Sequence, residues 1–180
     1  MKIFIIGPGG VGKSTCGPIL ANTLDYKFID LDEEFCQRIE NIGEYIKEKG
    51  YEKYCLENSQ LFYDILSDEP DNFVFVLSSG FLVHEGMAEL TSKHQQTIQE
   101  KGISILLLPS ADINESTQIV VARQLARGFG LNADKEKLKF QKRYKRYSKM
   151  GNIKIYSHQN PEFIANQMKK KILSSNKTSR

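Results

Sequence analysis

The chain has 180 residues, 40% of them hydrophobic and 26% charged, with a formal net charge of +3. That length suits one domain with one core, and no apolar run approaches the length of a membrane span. Three cysteines (Cys16, Cys36 and Cys55) without a CxxC pair argue against a disulfide framework or a zinc site and fit a reducing cytoplasm.

The opening Lys2 to Ile6 is apolar and β-branched and stops at Gly7-Pro8-Gly9-Gly10, which reads as a buried strand entering a tight loop. The apolar stretch is too short for a signal peptide. From Lys13 the pattern turns helical to about Asp25, with Ile19, Leu20 and Leu24 on one face. Lys27 to Leu31 reads as a second strand. Residues 33 to 68 read as two or three helices, with breaks near Asn41-Ile42-Gly43 and Gly50. Phe73 to Leu77 is a third strand, closed by Ser78-Ser79-Gly80. A polar helix follows from Met87 to Lys101. Ile103 to Leu108 is a fourth strand, and residues 112 to 127 form a helix ending at Gly128-Phe129-Gly130. A very basic helix covers 135 to 149, a fifth strand Ile153 to Tyr156, and a last helix Pro161 to Leu173. Residues 174 to 180 read as a flexible polar tail.

Strands alternating with helices predict an α/β domain with a mainly parallel sheet, covered on both faces because its strands are near-continuous apolar runs. Ligands in such sheets sit at the carboxyl ends of the strands. The loops after strands one, two and three are therefore the places to look.

Gly7-Pro8-Gly9-Gly10-Val11-Gly12-Lys13-Ser14 matches G-x-x-x-x-G-K-[ST], between a strand and a helix. The glycines let successive N–H groups turn inward on a phosphate, and the helix start adds its positive dipole end. The nucleotide-binding set is then Gly9, Gly10, Val11, Gly12, Lys13, Ser14 and Thr15. Lys13 reaches the β- and γ-phosphates, Ser14 holds Mg²⁺, and Thr15 contacts a phosphate. ATP with Mg²⁺ is the expected ligand. Asp30 and Asp32 point to one side of an extended chain beside this loop. One can hold magnesium through water and the other can accept a proton from an attacking hydroxyl, with Asp30 on the metal side and Asp32 on the catalytic side. Either could instead cap the helix that follows. The small residues Ser79 and Gly80 would let a ligand approach the backbone. Arg123 and Arg127 lie four apart on one helix face, before a glycine hinge. From there they could cover the nucleotide as a lid closes.

This order of motifs resembles the shikimate kinase family over almost the whole chain. The resemblance implies a three-layer P-loop kinase fold with a five-stranded parallel sheet. It also implies a helical substrate-binding insert at about 33–68 and a short lid at about 128–135, within a single domain of residues 1–173. It further implies that Asp32 binds the acceptor hydroxyls, that Gly80 approaches the substrate, and that Arg143 (in Arg-x-x-x-Tyr) grips its carboxylate. Arg123 would lie against adenine and Arg127 would be the lid arginine. The chain departs from the family where a second carboxylate-binding arginine becomes Cys55, a glutamate becomes Asn58, and two of three glycines become Ser78 and Ser79. Shikimate is then expected to bind weakly, or to yield to an acceptor whose shape suits Ser79 and Cys55.

Two other readings stand beside this one. The acceptor could be another polyol, a sugar acid or a nucleotide. Alternatively the chain could be an ATP-binding regulator or nucleic-acid-binding protein that uses its basic end, since residues 135–180 carry 14 Lys/Arg against 2 Asp/Glu. Most of those charges read as solvated helix faces, so nucleic acid is not the expected partner. The expected partners are ATP and a small hydroxylated metabolite, for a cytoplasmic monomer without membrane attachment.

Overall fold

The computed structural model describes residues 1–69, 72–128 and 130–178, with side chains described as far as Ser175. Five strands, β1 (Lys2–Ile6), β2 (Lys27–Asp30), β3 (Phe73–Val76), β4 (Ile103–Leu108) and β5 (Ile153–Tyr156), form one parallel sheet in the order β2-β3-β1-β4-β5. The helices are α1 (Lys13–Leu24), α2 (Leu31–Arg38), α3 (Ile42–Lys49), α4 (Tyr51–Asp68), α5 (Ala88–Lys101), α6 (Ile113–Leu125), α7 (Ala133–Tyr147) and α8 (Pro161–Thr178).

Alternation along the strands distributes these helices over two faces. Phe4, Phe73 and Phe75 share one face with Phe62 of α4, at ring separations of 5.6 to 6.3 Å. On the other face α1 comes so close that a Cβ on Gly17 would stand 2.7 Å from Val76, and α8 packs on α1. Both sheet faces are therefore dry, which is why β3 is buried at every position. Each large side chain sealed in this way contributes roughly 1.5–3 kcal/mol.

Several boundaries differ from the sequence expectation, among them that of α7, which runs Ala133–Tyr147 rather than 135 to 149. Leu31, expected to close the second strand, begins α2, because the Asp30 side chain caps that helix. Leu77, expected to close the third strand, lies beyond β3. The tail expected from residue 174 is helical to Thr178, as a continuation of α8, while residues 179–180 lie outside the described residues. The expected insert corresponds to α2, α3 and α4. In the expected lid, residues 128 and 130–132 form a connection and α7 has already begun at Ala133. Phe129 of the expected hinge lies outside the described residues. Among the described residues no helix is long and apolar enough to cross a membrane.

Sheet register places the site. Asp30 pairs with Val76, and Val76 with Ile5, so the carboxyl ends of β2, β3 and β1 are level. Strand order reverses around β1, and the loop after β1 lies at that switch point.

Candidate active site

The loop from Gly7 to Gly12 bends at Gly10 (φ 79°) and Gly12 (φ 100°), values that a residue with a Cβ adopts at a cost. Gly12 is the N-cap of α1, so the turn delivers Lys13 and Ser14 to the helix start. The Lys13 side chain is buried, and its Nζ donates to the carbonyls of Gly7 (2.8 Å) and Pro8 (3.0 Å). Burial lowers the Lys13 pKa to about 8 against the pull of Asp32 and Asp30, so all three groups share one field. Val11 is buried beneath the loop, whereas Ser14 and Thr15 face solvent.

Asp30 and Asp32 take different tasks. The Asp30 Oδ1 accepts from the backbone N–H of Asp32 (3.0 Å) and Glu33 (3.4 Å). Its Oδ2 is buried without a partner among the described residues. Capping thus uses one oxygen and leaves the other. Asp32 is open to solvent yet stands in a concave wall of protein that displaces much of its water. That desolvation raises its pKa, opposed by the Ser78 hydroxyl and by Lys13. A relay holds its carboxylate: Asn58 Nδ2 donates to Ser78 Oγ (3.1 Å), which donates to Asp32 Oδ1 (2.5 Å). Asn58 is fully buried.

Ser79, Gly80 and Arg143 come together. Arg143 donates through Nη1 to Ser79 Oγ (2.9 Å), and its Nη2 lies 3.1 Å from where a Cβ on Gly80 would stand. Any larger residue at 80 would therefore push the guanidinium aside. Arg143 is half-buried, and its charge acts on both Lys13 and Asp32. It also lines a cavity of ≈ 470 Å³ with Tyr51, Val83, Glu85, Leu138, Lys139 and Lys142. Arg123 reaches the other side of the phosphate loop, donating through Nη1 to Gly10 O (3.4 Å). Arg127 is exposed, and its charge reaches Lys13.

Some contributors were not apparent in the sequence. Gln124 packs on the phosphate loop, its Nε2 3.3 Å from a Cβ position on Gly9, and the following residues of α6 carry no motif that marks it. Tyr51 and His84 meet Arg143 at Gly80. Cys55 is a correction. Expected to shape the acceptor's surroundings, it is 0% exposed, with its Sγ 3.3 Å from His84 Nδ1. An arginine there would have to bury its charge in packed protein. Cys55→Arg is expected to cost about 3 kcal/mol or more of stability. A denaturant midpoint equal to that of the wild type would show that the site has room after all.

Two buried imidazoles make a second prediction. His94 stacks on Phe81 at 3.9 Å; its Nδ1 lies 3.1 Å from Phe81 O and its Nε2 2.7 Å from Ser59 Oγ. A carbonyl only accepts, so Nδ1 carries the proton and Nε2 accepts from Ser59. Burial lowers the pKa of both His84 and His94 to about 4, from an ordinary 6.5. Below 6.5 the unfolded chain binds protons that the folded chain refuses. Stability is therefore full above pH 6.5 and falls as the pH drops towards 4, by on the order of 2 kcal/mol for each ring. Melting temperature measured from pH 7 to 4.5 checks this; a flat profile would contradict it.

Comparison with known proteins bears on the family and the fold. A model of the shikimate kinase family matches residues 9–173. The chain belongs to the shikimate kinase family. A shikimate kinase of Chloroherpeton thalassium is 39% identical over 94 residues, covering 51% of this chain and 48% of that protein. A bifunctional shikimate kinase/3-dehydroquinate synthase of Thermotoga maritima is 34% identical over 96 residues, covering 53% of this chain and 19% of that protein. The chain thus spans half or less of the length of these relatives. In fold it is similar to the shikimate kinase from Acinetobacter baumannii in complex with shikimate, with TM-score 0.76 and 20% identity over 97% of this chain and 93% of the other. The α/β P-loop kinase architecture implied by the motif order is the one found, with five parallel strands and helices on both faces.

Proposed function

We propose that the chain transfers the γ-phosphoryl group of ATP to a hydroxyl of a small hydroxylated acid, held between Asp32 and Arg143. The observation that carries this reading is that the loop after β3 joins the three parts: Ser78 Oγ donates to Asp32, Ser79 Oγ accepts from Arg143, and Ser79 Cβ lies 3.6 Å from a Cβ position on Gly9 of the phosphate loop. Gly9, Gly10, Val11, Gly12, Lys13 and Thr15 would bind the phosphates, with Arg123 along the nucleotide and Arg127 approaching from the lid. Ser79, Gly80 and Arg143 would hold the acceptor's anionic group. Asp32 Oδ1 is taken by Ser78, which leaves Oδ2 to accept the proton of the attacking hydroxyl. A raised pKa makes that carboxylate a better base near neutral pH.

The residues present also suit magnesium. Asp30 Oδ2 is a buried carboxylate oxygen with no protein partner among the described residues, and Ser14 opens the helix after Lys13. These two would hold Mg²⁺, which when bound supplies charge neutralisation at the β- and γ-phosphates. Such a site needs few protein ligands, because Mg²⁺ keeps waters and takes substrate phosphates.

ADP release measured across a panel of hydroxy acids, polyols and nucleoside monophosphates tests the reading. A hydroxy acid is expected to give the largest stimulation, whether or not it is shikimate. Stimulation by nucleoside monophosphates alone would move the acceptor class, and release that no acceptor stimulates would remove the kinase reading.

A further inference from the structure

Three side chains from separate segments meet over Gly80. A Cβ placed there would lie 3.1 Å from Arg143 Nη2, 3.1 Å from the Tyr51 hydroxyl and 3.5 Å from His84 Cε1. Arg143 comes from α7, Tyr51 opens α4, and His84 lies in the loop between β3 and α5. Donor and acceptor chemistry sets the direction of their bonds. A guanidinium has donors and no acceptor. The Tyr51 hydroxyl lies in the field of the Arg143 charge, which favours turning its lone pairs towards the guanidinium and its proton away, free to be donated. His84 Nδ1 is 3.0 Å away. The Cys55 thiol, 3.3 Å from the same nitrogen, is a second donor aimed at it. With two donors converging, Nδ1 is the bare nitrogen and the ring proton sits on Nε2. Nε2 has no partner among the described residues, so the polar grip on this ring comes through Nδ1.

We propose that Tyr51 and His84 are positioning residues for Arg143, and that the relay from guanidinium to hydroxyl to imidazole fixes where the acceptor's anionic group is held. The choice of acceptor rests on the function proposed above; the relay does not. The relay also limits charge. Of the other cations lining this cavity, Lys139 is paired with Glu136 and Lys142 with Glu85. Burial keeps His84 neutral, with a pKa of about 4. Arg143 is thus left with neutral partners: Ser79, Tyr51 and, through Tyr51, His84. The acceptor class that matches is a hydroxylated compound with a single carboxylate-like anion, rather than a dianionic phosphate.

Two measurements test the relay. Ring-nitrogen NMR of the wild-type protein alone should show the His84 proton on Nε2. Tyr51→Phe should then shift the His84 Nδ1 resonance and leave those of His94 in place. Tyr51 is 41% exposed, so loss of its hydroxyl spares the core. In kinetics with shikimate as the probe, Tyr51→Phe should raise the KM for shikimate about tenfold, with the KM for ATP moving less than about twofold. A His84 proton on Nδ1, an Nδ1 resonance indifferent to Tyr51→Phe, or an unchanged shikimate KM would overturn the proposal. A wild-type protein that ignores shikimate would count against the acceptor reading, and the NMR result would still decide the relay.

Discussion

Lys13→Ala is expected to lower turnover with saturating Mg-ATP by about a thousandfold or more, equivalent to ~4 kcal/mol of barrier. Lys13 is the cation that the phosphate loop itself supplies, and its Nζ is held by two loop carbonyls, Gly7 O and Pro8 O. Phosphoryl transfer relies on positioning and charge stabilisation, so no neighbouring group inherits the role. Arg123 is bonded to Gly10 O on the far side of the loop. Burial adds a second signature. With a pKa of about 8, Lys13 loses its charge as the pH rises through that value in the nucleotide-free protein. Wild-type affinity for ATP should therefore weaken between pH 7 and 9, while the weaker affinity of Lys13→Ala should stay level. Turnover within about tenfold of wild type, or the same pH slope in both proteins, would remove Lys13 from the mechanism.

Asp32→Asn is expected to reduce the single-turnover rate by roughly a hundred- to ten-thousandfold, with ATP affinity changed by less than about threefold. The amide keeps the shape but cannot take the proton of the attacking hydroxyl. The surrounding relay should persist, because the amide oxygen can still accept from Ser78 Oγ, which is itself held by Asn58. Asp30, by contrast, caps α2 through Oδ1, so its replacement would disturb the fold as well as the site. Calorimetric ATP binding beside a rapid-quench rate separates the two roles. Equal losses of affinity and rate would place Asp32 with the metal instead.

The parts of this molecule legible in its sequence are those encoded locally. β1, β4 and β5 are short apolar runs ended by turn residues or by a change to polar sequence, and their limits coincide with the expected ones. The phosphate loop is legible because one contiguous segment supplies its bends, its cation and its helix start. Where side chains act across the chain, the pattern fails. Leu31 reads as strand by its neighbours, yet the Asp30 side chain claims it for a helix. Residues 174–178 read as tail because they lack an apolar period, yet α8 carries them on. The acceptor side is least legible. Tyr51 and His84 are 33 positions apart, and His84 lies in an irregular loop with no repeat to mark it. The family resemblance implies an arginine where Cys55 stands, yet the Cys55 side chain is buried against the His84 ring. Resemblance identifies a position, and the neighbours decide what it faces.

In the proposed reaction one cleft joins the phosphate loop to an acceptor held by Asp32 and Arg143. Mass analysis of the products formed from shikimate and Mg-ATP tests it most directly. The expected result is shikimate carrying one added phosphoryl group, formed in step with ADP and lost in Asp32→Asn. ADP accumulating with no phosphorylated shikimate, or the same product yield from Asp32→Asn as from wild type, would contradict it.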